Sequence, residues 1–323
     1  MKKTFVIFFI SISIFAQNNI RHFPFANTYS IVARDPETGE MGVGVQSHWF
    51  SVGTVVSWAE AGVGAIATQS FVNVSFGPNG LQLLKEGKSA SEVLDILISN
   101  DEGKDYRQLA IVDNNGNVAA YTGKNCIPEA GHIVGKDFSV QANLMLSNEV
   151  WSSMEKAFKN SKGKLADRII AALEAAESVG GDIRGKQSAA LLIVKSQSSG
   201  KIWEDKVVDI RVDDNEEPLK ELKRIYQVHQ AYDHMNAGDL AVENNDMEKA
   251  MLEYGKAEEM FPENEEMKFW HGVTLINNNR IEEGVQILRT IFQKNNNWKI
   301  LLYRLPNVNL ITLNKTQLEN YFH

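Results

Sequence analysis

Six short polar stretches stand inside glycine-rich, apolar text, and these are where the chain could do chemistry. They are Thr28-Tyr29-Ser30, Ser47-His48-Trp49-Phe50-Ser51-Val52-Gly53, Thr68-Gln69-Ser70, Thr122-Gly123-Lys124-Asn125-Cys126, Gln141-Ala142-Asn143 and the run from Gly180 to Ala189. Taken singly, each reads as a cap, a turn or a strand edge. The last differs, because Gly180, Gly181 and Gly185 bracket Asp182 and Arg184. Two opposite charges on a tight turn beside an apolar run make an oriented ion pair or an arginine that faces an anion. The sequence holds no G-x-S-x-G elbow, no H-E-x-x-H helix, no phosphate loop and no dinucleotide fingerprint. His48 and His132 are isolated from one another, so neither a metal nor a cofactor is expected. Cys126 is the only cysteine, which excludes an intramolecular disulfide, and it reads as a small buried hydrophobe.

The elements that must position these residues come in blocks. Residues 28–35 and 40–47 read as a strand pair around the turn Asp35–Gly39, and 53–58 and 62–69 as two further strands. Helices are expected over 78–86 and 89–99, the second opened by a Ser89/Glu92 capping box. Strands follow at 107–113 and 117–122 about Asn114-Asn115-Gly116, with extended chain at 131–134 and 137–145. Two helices over 147–160 and 164–178 and two strands, 188–195 and 205–212, complete the series. Blocks of strands and helices, rather than strict alternation, predict an α+β domain of two antiparallel sheets with helix pairs on both outer faces.

From about Glu216 the text turns to helix only. Asn244-Asn245-Asp246-Met247-Glu248-Lys249-Ala250 is echoed by Asn278-Asn279-Arg280-Ile281-Glu282-Glu283-Gly284, about 34 residues on. That period, with Tyr254, Ala257 and Pro262 after the first copy and Gly272 and Leu288 around the second, resembles the tetratricopeptide repeat. The resemblance implies a surface for a protein or peptide partner. Self-association through the same surface is left open.

Composition narrows the setting. Hydrophobic content of 43% and charged content of 23% are those of a globular protein, and 323 residues suit about two domains. A net charge of −8 argues against nonspecific nucleic-acid binding. Lys2 and Lys3 ahead of the apolar run 5–15, with Ala16 before Gln17, read as a cleavable signal peptide over 1–16. The mature protein is therefore expected in the periplasm or outside the cell, and no later segment reads as a membrane span.

TYSIVARDPETGEMGVGVQS over 28–47, GVGAIATQSFVN over 62–73 and GGDIRGKQSAAL over 180–191 occur in order, within or beside the stretches 27–70, 108–143 and 172–194. On these stretches, residues 27–212 resemble the domain of unknown function family numbered 1028, assigned to the N-terminal-nucleophile hydrolase superfamily. The resemblance implies a four-layer αββα sandwich over 27–212, followed by the all-α, tetratricopeptide-like module over 216–323. At superfamily level it implies amide-bond hydrolysis by a Thr, Ser or Cys freed at the start of the first strand, whose own α-amine serves as base. Thr28 stands at that place, with Ser30 as a weaker alternative. Ser47, Gln69, Asn143 and the Gly180–Gly181 turn are candidate oxyanion donors, and Asp182 and Arg184 candidates to orient the amine or hold a substrate carboxylate. His48, Gln187 and Ser188 would complete the polar end of the pocket. Signal cleavage after Ala16 leaves about eleven residues ahead of Thr28, so either a second cleavage at Asn27–Thr28 exposes the amine, or the catalytic scheme differs, or the protein only binds. Two readings follow, a hydrolase of a small amide or peptide-like substrate and a noncatalytic ligand-binding or scaffold protein.

Overall fold

The computed structural model describes residues 25–322, and the export segment expected over 1–16 lies outside them. The chain divides into two compact units, the first ending at Leu219 and the second beginning at Lys220. The first unit runs β1 (Phe25–Ala26), β2 (Tyr29–Arg34), β3 (Met41–Ser47), α1 (Gly53–Val56), β4 (Ser57–Glu60), β5 (Gly64–Phe71), α2 (Phe76–Lys85) and α3 (Ala90–Ser99). It continues through β6 (Arg107–Asp113), β7 (Val118–Thr122), β8 (Gly131–Gly135), β9 (Phe138–Ala142), α4 (Val150–Asn160), α5 (Leu165–Ser178), β10 (Ser188–Val194) and β11 (Lys206–Val212).

All pairings are antiparallel. One sheet has the order β11-β10-β3-β2-β9-β8, and the other β1-β5-β6-β7 with β4 also on β5. Helices α4 and α5 rest on the first sheet and α2 and α3 on the second, while β2 and β3 face β5 across the interior. Side chains alternate between faces of a strand. Val32, Val43, Val45, Ala67, Ala110 and Val112 therefore fill the space between the sheets, and Ile66, Leu109 and Ile111 turn to α2 and α3. Small residues let the layers approach. A Cβ on Gly44 would sit 2.3 Å from Ile169 Cγ2 of α5, so only glycine fits there.

The stretch 53–58, expected as a strand, instead begins with the short helix α1, and β4 starts only at Ser57. The β-branched residues of that stretch favour a strand locally, but contacts from elsewhere in the chain override the preference. Ser188 Oγ accepts from the N–H of Val52 at 3.0 Å, and a Cβ on Gly53 would lie 2.4 Å from Ala190 Cβ.

The second unit is helical, with α6 (Pro218–Glu243), α7 (Met247–Met260), α8 (Glu265–Asn277), α9 (Ile281–Lys294), α10 (Asn297–Leu302) and α11 (Lys315–Phe322). The sequence echo is an echo in geometry. Asn245 and Asn279 both adopt left-handed backbone, at φ 58° and 61°, which asparagine tolerates better than most residues. The following N–H groups, of Asp246 and Arg280, donate to Ala241 and Leu275 at 2.8 and 2.9 Å. Asp246 also caps α7 by accepting from the N–H of Lys249 at 3.1 Å. Arg280 cannot cap α9 in that way and pairs with Glu283 at 2.7 Å instead. Among the described residues no helix is long and apolar enough to cross a membrane, and no acidic, histidine or cysteine cluster is placed to hold a metal ion.

Candidate functional site

The polar end of the first unit is built around the peptide bond between Asn27 and Thr28. Thr28 directly precedes β2, is fully buried, and donates through Oγ1 to the carbonyl of Ala26 at 2.8 Å. Its own carbonyl accepts from the N–H of Asn143 at 3.1 Å and from Gln69 Nε2 at 3.2 Å. The preceding carbonyl, that of Asn27, accepts from Ser47 Oγ at 2.6 Å and from Arg184 Nη2 at 2.8 Å. A donor that carries charge is about twice as strong as a neutral one. The Asn27 carbonyl is therefore the more polarised of the two.

Toward this end, the small apolar residues between the sheets give way to a layer of amides. Ser30 Oγ donates to Gln69 Oε1 at 2.5 Å and accepts from Gln141 Nε2 at 2.6 Å. Gln69 Nε2 donates to Gln108 Oε1 at 2.6 Å, and Asn143 Nδ2 donates to the same oxygen at 2.9 Å. Gln108 Nε2 in turn donates to Thr122 Oγ1 and to the carbonyl of Ala142, each at 2.9 Å. Thr122 Oγ1 lies 2.8 Å from His132 Nδ1, and burial holds that imidazole below the usual histidine range. Buried polar groups bonded to one another limit the arrangements open to what they touch. In this layer only Asn143 Oδ1 is left without a partner among the buried side-chain atoms of Ser30, Gln69, Gln108, Gln141 and Asn143. The layer holds the Thr28 carbonyl.

The turn after α5 supplies the charge. Gly180, Gly181 and Gly185 adopt φ of 113°, 52° and 108°, a region glycine enters without steric cost. The Asp182 carboxylate accepts from Arg184 Nε at 3.0 Å and Nη2 at 2.7 Å, and from the N–H groups of Arg184 and His48 at 3.0 and 3.2 Å. Asp182 is buried and Arg184 partly exposed, so the carboxylate holds the guanidinium in a fixed plane with Nη2 turned to Asn27. On the other face of β2, Tyr29 donates to Glu177 Oε2 of α5 at 2.7 Å. Burial, then the charge of Glu177, raises the Tyr29 phenol well above its ordinary value, so it stays a neutral donor.

The sequence-predicted residues thus fall into three groups. Thr28, Ser47, Asn143 and Arg184 meet at the Asn27–Thr28 linkage, and Asp182 sets the arginine. Gln69 also reaches this linkage, but its amide is spent on Thr28 and Gln108, and Ser30 is tied between Gln69 and Gln141. The side chains of the remaining three bind elsewhere, although the backbone N–H of His48 reaches Asp182. Gln187 Nε2 donates to Asp214 at 3.1 Å, Ser188 Oγ bonds the carbonyl of Trp49, and His48 Nδ1 lies 3.3 Å from the carbonyl of Lys186. Sequence reading missed Gln108, the hub of the amide layer, and the carbonyl of Asn27, which takes a hydroxyl and a charged donor. The signal for Gln108 was a lone amide in the apolar strand RQLAIVD.

A family model described as a family of unknown function, DUF1028, matches residues 28–222. No curated protein sequence matches the chain. A crystal structure of a protein of that family from Silicibacter pomeroyi is similar at 31% identity and a TM-score of 0.57, over 62% of this chain and 85% of that one. The ancestral beta-subunit Anbu from Yersinia bercovieri aligns over 62% of this chain and 93% of its own, at 13% identity and a TM-score of 0.29. The family match spans well over half of the chain, and the chain covers 85% of a relative of that family at 31% identity: this chain belongs to the DUF1028 family.

Proposed function

We propose that this chain is an exported amidohydrolase of the N-terminal-nucleophile type, in which Thr28 becomes the nucleophile once the Asn27–Thr28 bond is hydrolysed. One observation carries the reading. The carbonyl just ahead of Thr28 is held by a hydroxyl at 2.6 Å and a guanidinium at 2.8 Å, as a carbonyl about to become an oxyanion needs to be held. The four-layer αββα reading of the two sheets and their helix pairs accords with it, as does the export pattern of residues 1–16. The helical unit, read as tetratricopeptide-like, supplies a surface for a protein or peptide partner.

Hydrolysis of Asn27–Thr28 adds one water and yields the Asn27 carboxylate and the Thr28 α-amine. With an ordinary value of about 7.7–8.0, that amine takes the Oγ1 proton as Oγ1 attacks the substrate's acyl carbon. Ser47 Oγ and Arg184 Nη2 stabilise the oxyanion. Collapse expels the substrate's amine, which takes up the proton, and leaves an acyl ester on Thr28. Water then cleaves the ester, giving a carboxylic acid and restoring the threonine hydroxyl. Burial pushes the Cys126 thiol up, which keeps it protonated and out of this chemistry.

A second reading, a noncatalytic ligand-binding or scaffold protein, draws on Thr28 itself. In the uncut chain Thr28 is fully buried and its hydroxyl is bonded to Ala26. N-terminal sequencing and intact mass of the exported protein decide between the two. A chain that begins at Thr28 and hydrolyses amides, with Thr28→Ala inactive, supports the hydrolase. A mature chain that begins near Gln17 and turns over no amide sinks it and favours the binding protein.

A further inference from the structure

We infer that the seat held by Phe25–Asn27 is the acyl-side subsite for an extended oligopeptide, which adds as a strand antiparallel to the end of β5. The chemistry rests on the hydrolase reading above, and the substrate class rests on the pairing of β1. The two residues of β1 pair through their backbones with β5, Phe25 opposite Phe71 and Ala26 opposite Ser70. Along the same strand, β4 pairs with the other half, from Gly64 to Ala67. Release of the leader at Asn27–Thr28 therefore opens the edge of β5 along Ser70 and Phe71, the Phe71 carbonyl keeping Arg107 Nη1 as a partner, and an open strand edge is a template for a peptide backbone.

The contacts that would select the occupant are already present. Backbone pairing holds the two residues before the linkage, and Ser47 and Arg184 hold the carbonyl of the third. Ala26 is fully buried, so that position takes only a small side chain. The carboxamide oxygen of Asn27 is buried and finds no donor, so the seat reads backbone and size rather than the asparagine amide. A single-residue amide would reach only Ser47 and Arg184. A tripeptide would gain the β5 edge as well.

The test measures binding of three probes by calorimetry: N-acetyl-Phe-Ala-Asn-amide, N-acetyl-Asn-amide and N-acetyl-Phe-Pro-Asn-amide. The protein is the full chain after natural cleavage. If it remains uncut, the full-length Ala26→Arg variant replaces it, since the arginine cannot enter the buried position and unseats β1. Ala26→Pro, which removes the residue's N–H and adds less bulk than arginine, is the second variant should the first fail to fold. The tripeptide should bind at least about tenfold more tightly than the other two, and at least about tenfold more weakly to uncut wild-type protein, whose seat is filled. Equal binding of the single-residue amide or of the proline probe overturns the inference. Turnover of the matching p-nitroanilides is read separately. Tight tripeptide binding without turnover sinks the hydrolase reading and leaves the subsite, whereas turnover with no tripeptide preference does the reverse.

Discussion

The guanidinium of Arg184 donates to the carbonyl oxygen of Asn27 at 2.8 Å while it is bound through two of its nitrogens to the buried carboxylate of Asp182. The charge at the linkage is therefore aimed rather than merely nearby. An arginine anchored in this way keeps its direction as the carbonyl develops negative charge, and no reorganisation is needed at that moment.

If this arrangement assists hydrolysis of the Asn27–Thr28 bond, Arg184→Ala should slow the appearance of a Thr28 N-terminus by about 10²–10³-fold, the usual cost of losing one oxyanion donor. Asp182→Asn should slow it less, since the guanidinium stays but loses its charged anchor. Intact mass over time measures both rates. Equal rates in wild type and Arg184→Ala would remove Arg184 from the chemistry.

The two hydroxyls beside the linkage have separable roles. If the proposed hydrolysis takes place, Thr28→Ala should abolish turnover by the cleaved chain, while Thr28→Ser should keep a measurable fraction because the attacking oxygen survives. Ser47→Ala should lower kcat by about 10–10³-fold with a smaller change in KM, since it removes a donor that acts most in the transition state. A KM effect with unchanged kcat would make Ser47 a ground-state contact only.

Gln108 offers a test of stability rather than chemistry. Its carboxamide oxygen serves both Gln69 and Asn143, and its nitrogen serves Thr122 and Ala142. Gln108→Leu keeps the volume and strands several buried polar groups, each costing about 1–3 kcal/mol. A loss of roughly 3–5 kcal/mol in chemical denaturation is expected. A change below about 1 kcal/mol would mean that the amide layer relaxes to new partners.

How far the sequence reaches can be seen in particular residues. The capping box at Ser89 is local, and it forms as read, with Ser89 N–H on Glu92 at 2.8 Å and Glu92 N–H on Ser89 at 3.4 Å. The echo of Asn245 in Asn279 is likewise local, because each turn is closed by its own neighbours. Gln108 could not be placed in this way, since its partners come from β5, β7 and β9 and only the fold brings them together. The partners of Gln187 and Ser188, Asp214 and the Trp49 carbonyl, are likewise brought to them only by the fold. Asn27 reads in the sequence only as a cleavage position, because its contribution is a carbonyl, which every residue has.

The helical unit carries a pH-sensitive pair. His271 Nδ1 lies 2.5 Å from Glu258 Oε2, and this hydrogen bond holds the Glu258 carboxyl below its ordinary range. A carboxylate lowered by folding stabilises the fold above its unfolded value and loses that contribution as pH falls through the folded one. Opening of α7 and α8 should therefore become easier below about pH 4.3. Hydrogen exchange of these helices in the full chain follows it, and Glu258→Gln should flatten the acid limb. An unchanged limb in that variant would assign the sensitivity to other carboxylates.

Three glycines of the helical unit separate packing from backbone entropy. A Cβ on Gly238 would lie 2.6 Å from Tyr254 Cε1, and one on Gly272, 34 residues later, would lie 2.9 Å from Leu288 Cγ. Both mark the close approach of one helix to the next, α6 to α7 and α8 to α9. Overpacking of this kind costs about 1–3 kcal/mol, so Gly238→Ala and Gly272→Ala should lower the unfolding midpoint. Gly255 stands within α7 and a Cβ there meets nothing within 4 Å. Gly255→Ala should raise stability by about 0.5–1 kcal/mol, the usual difference between alanine and glycine inside a helix. The same substitution thus has opposite signs at positions that differ only in what faces them. A neutral Gly238→Ala would show that Tyr254 can swing aside, and a neutral pair would mean that these glycines do not set the helix spacing.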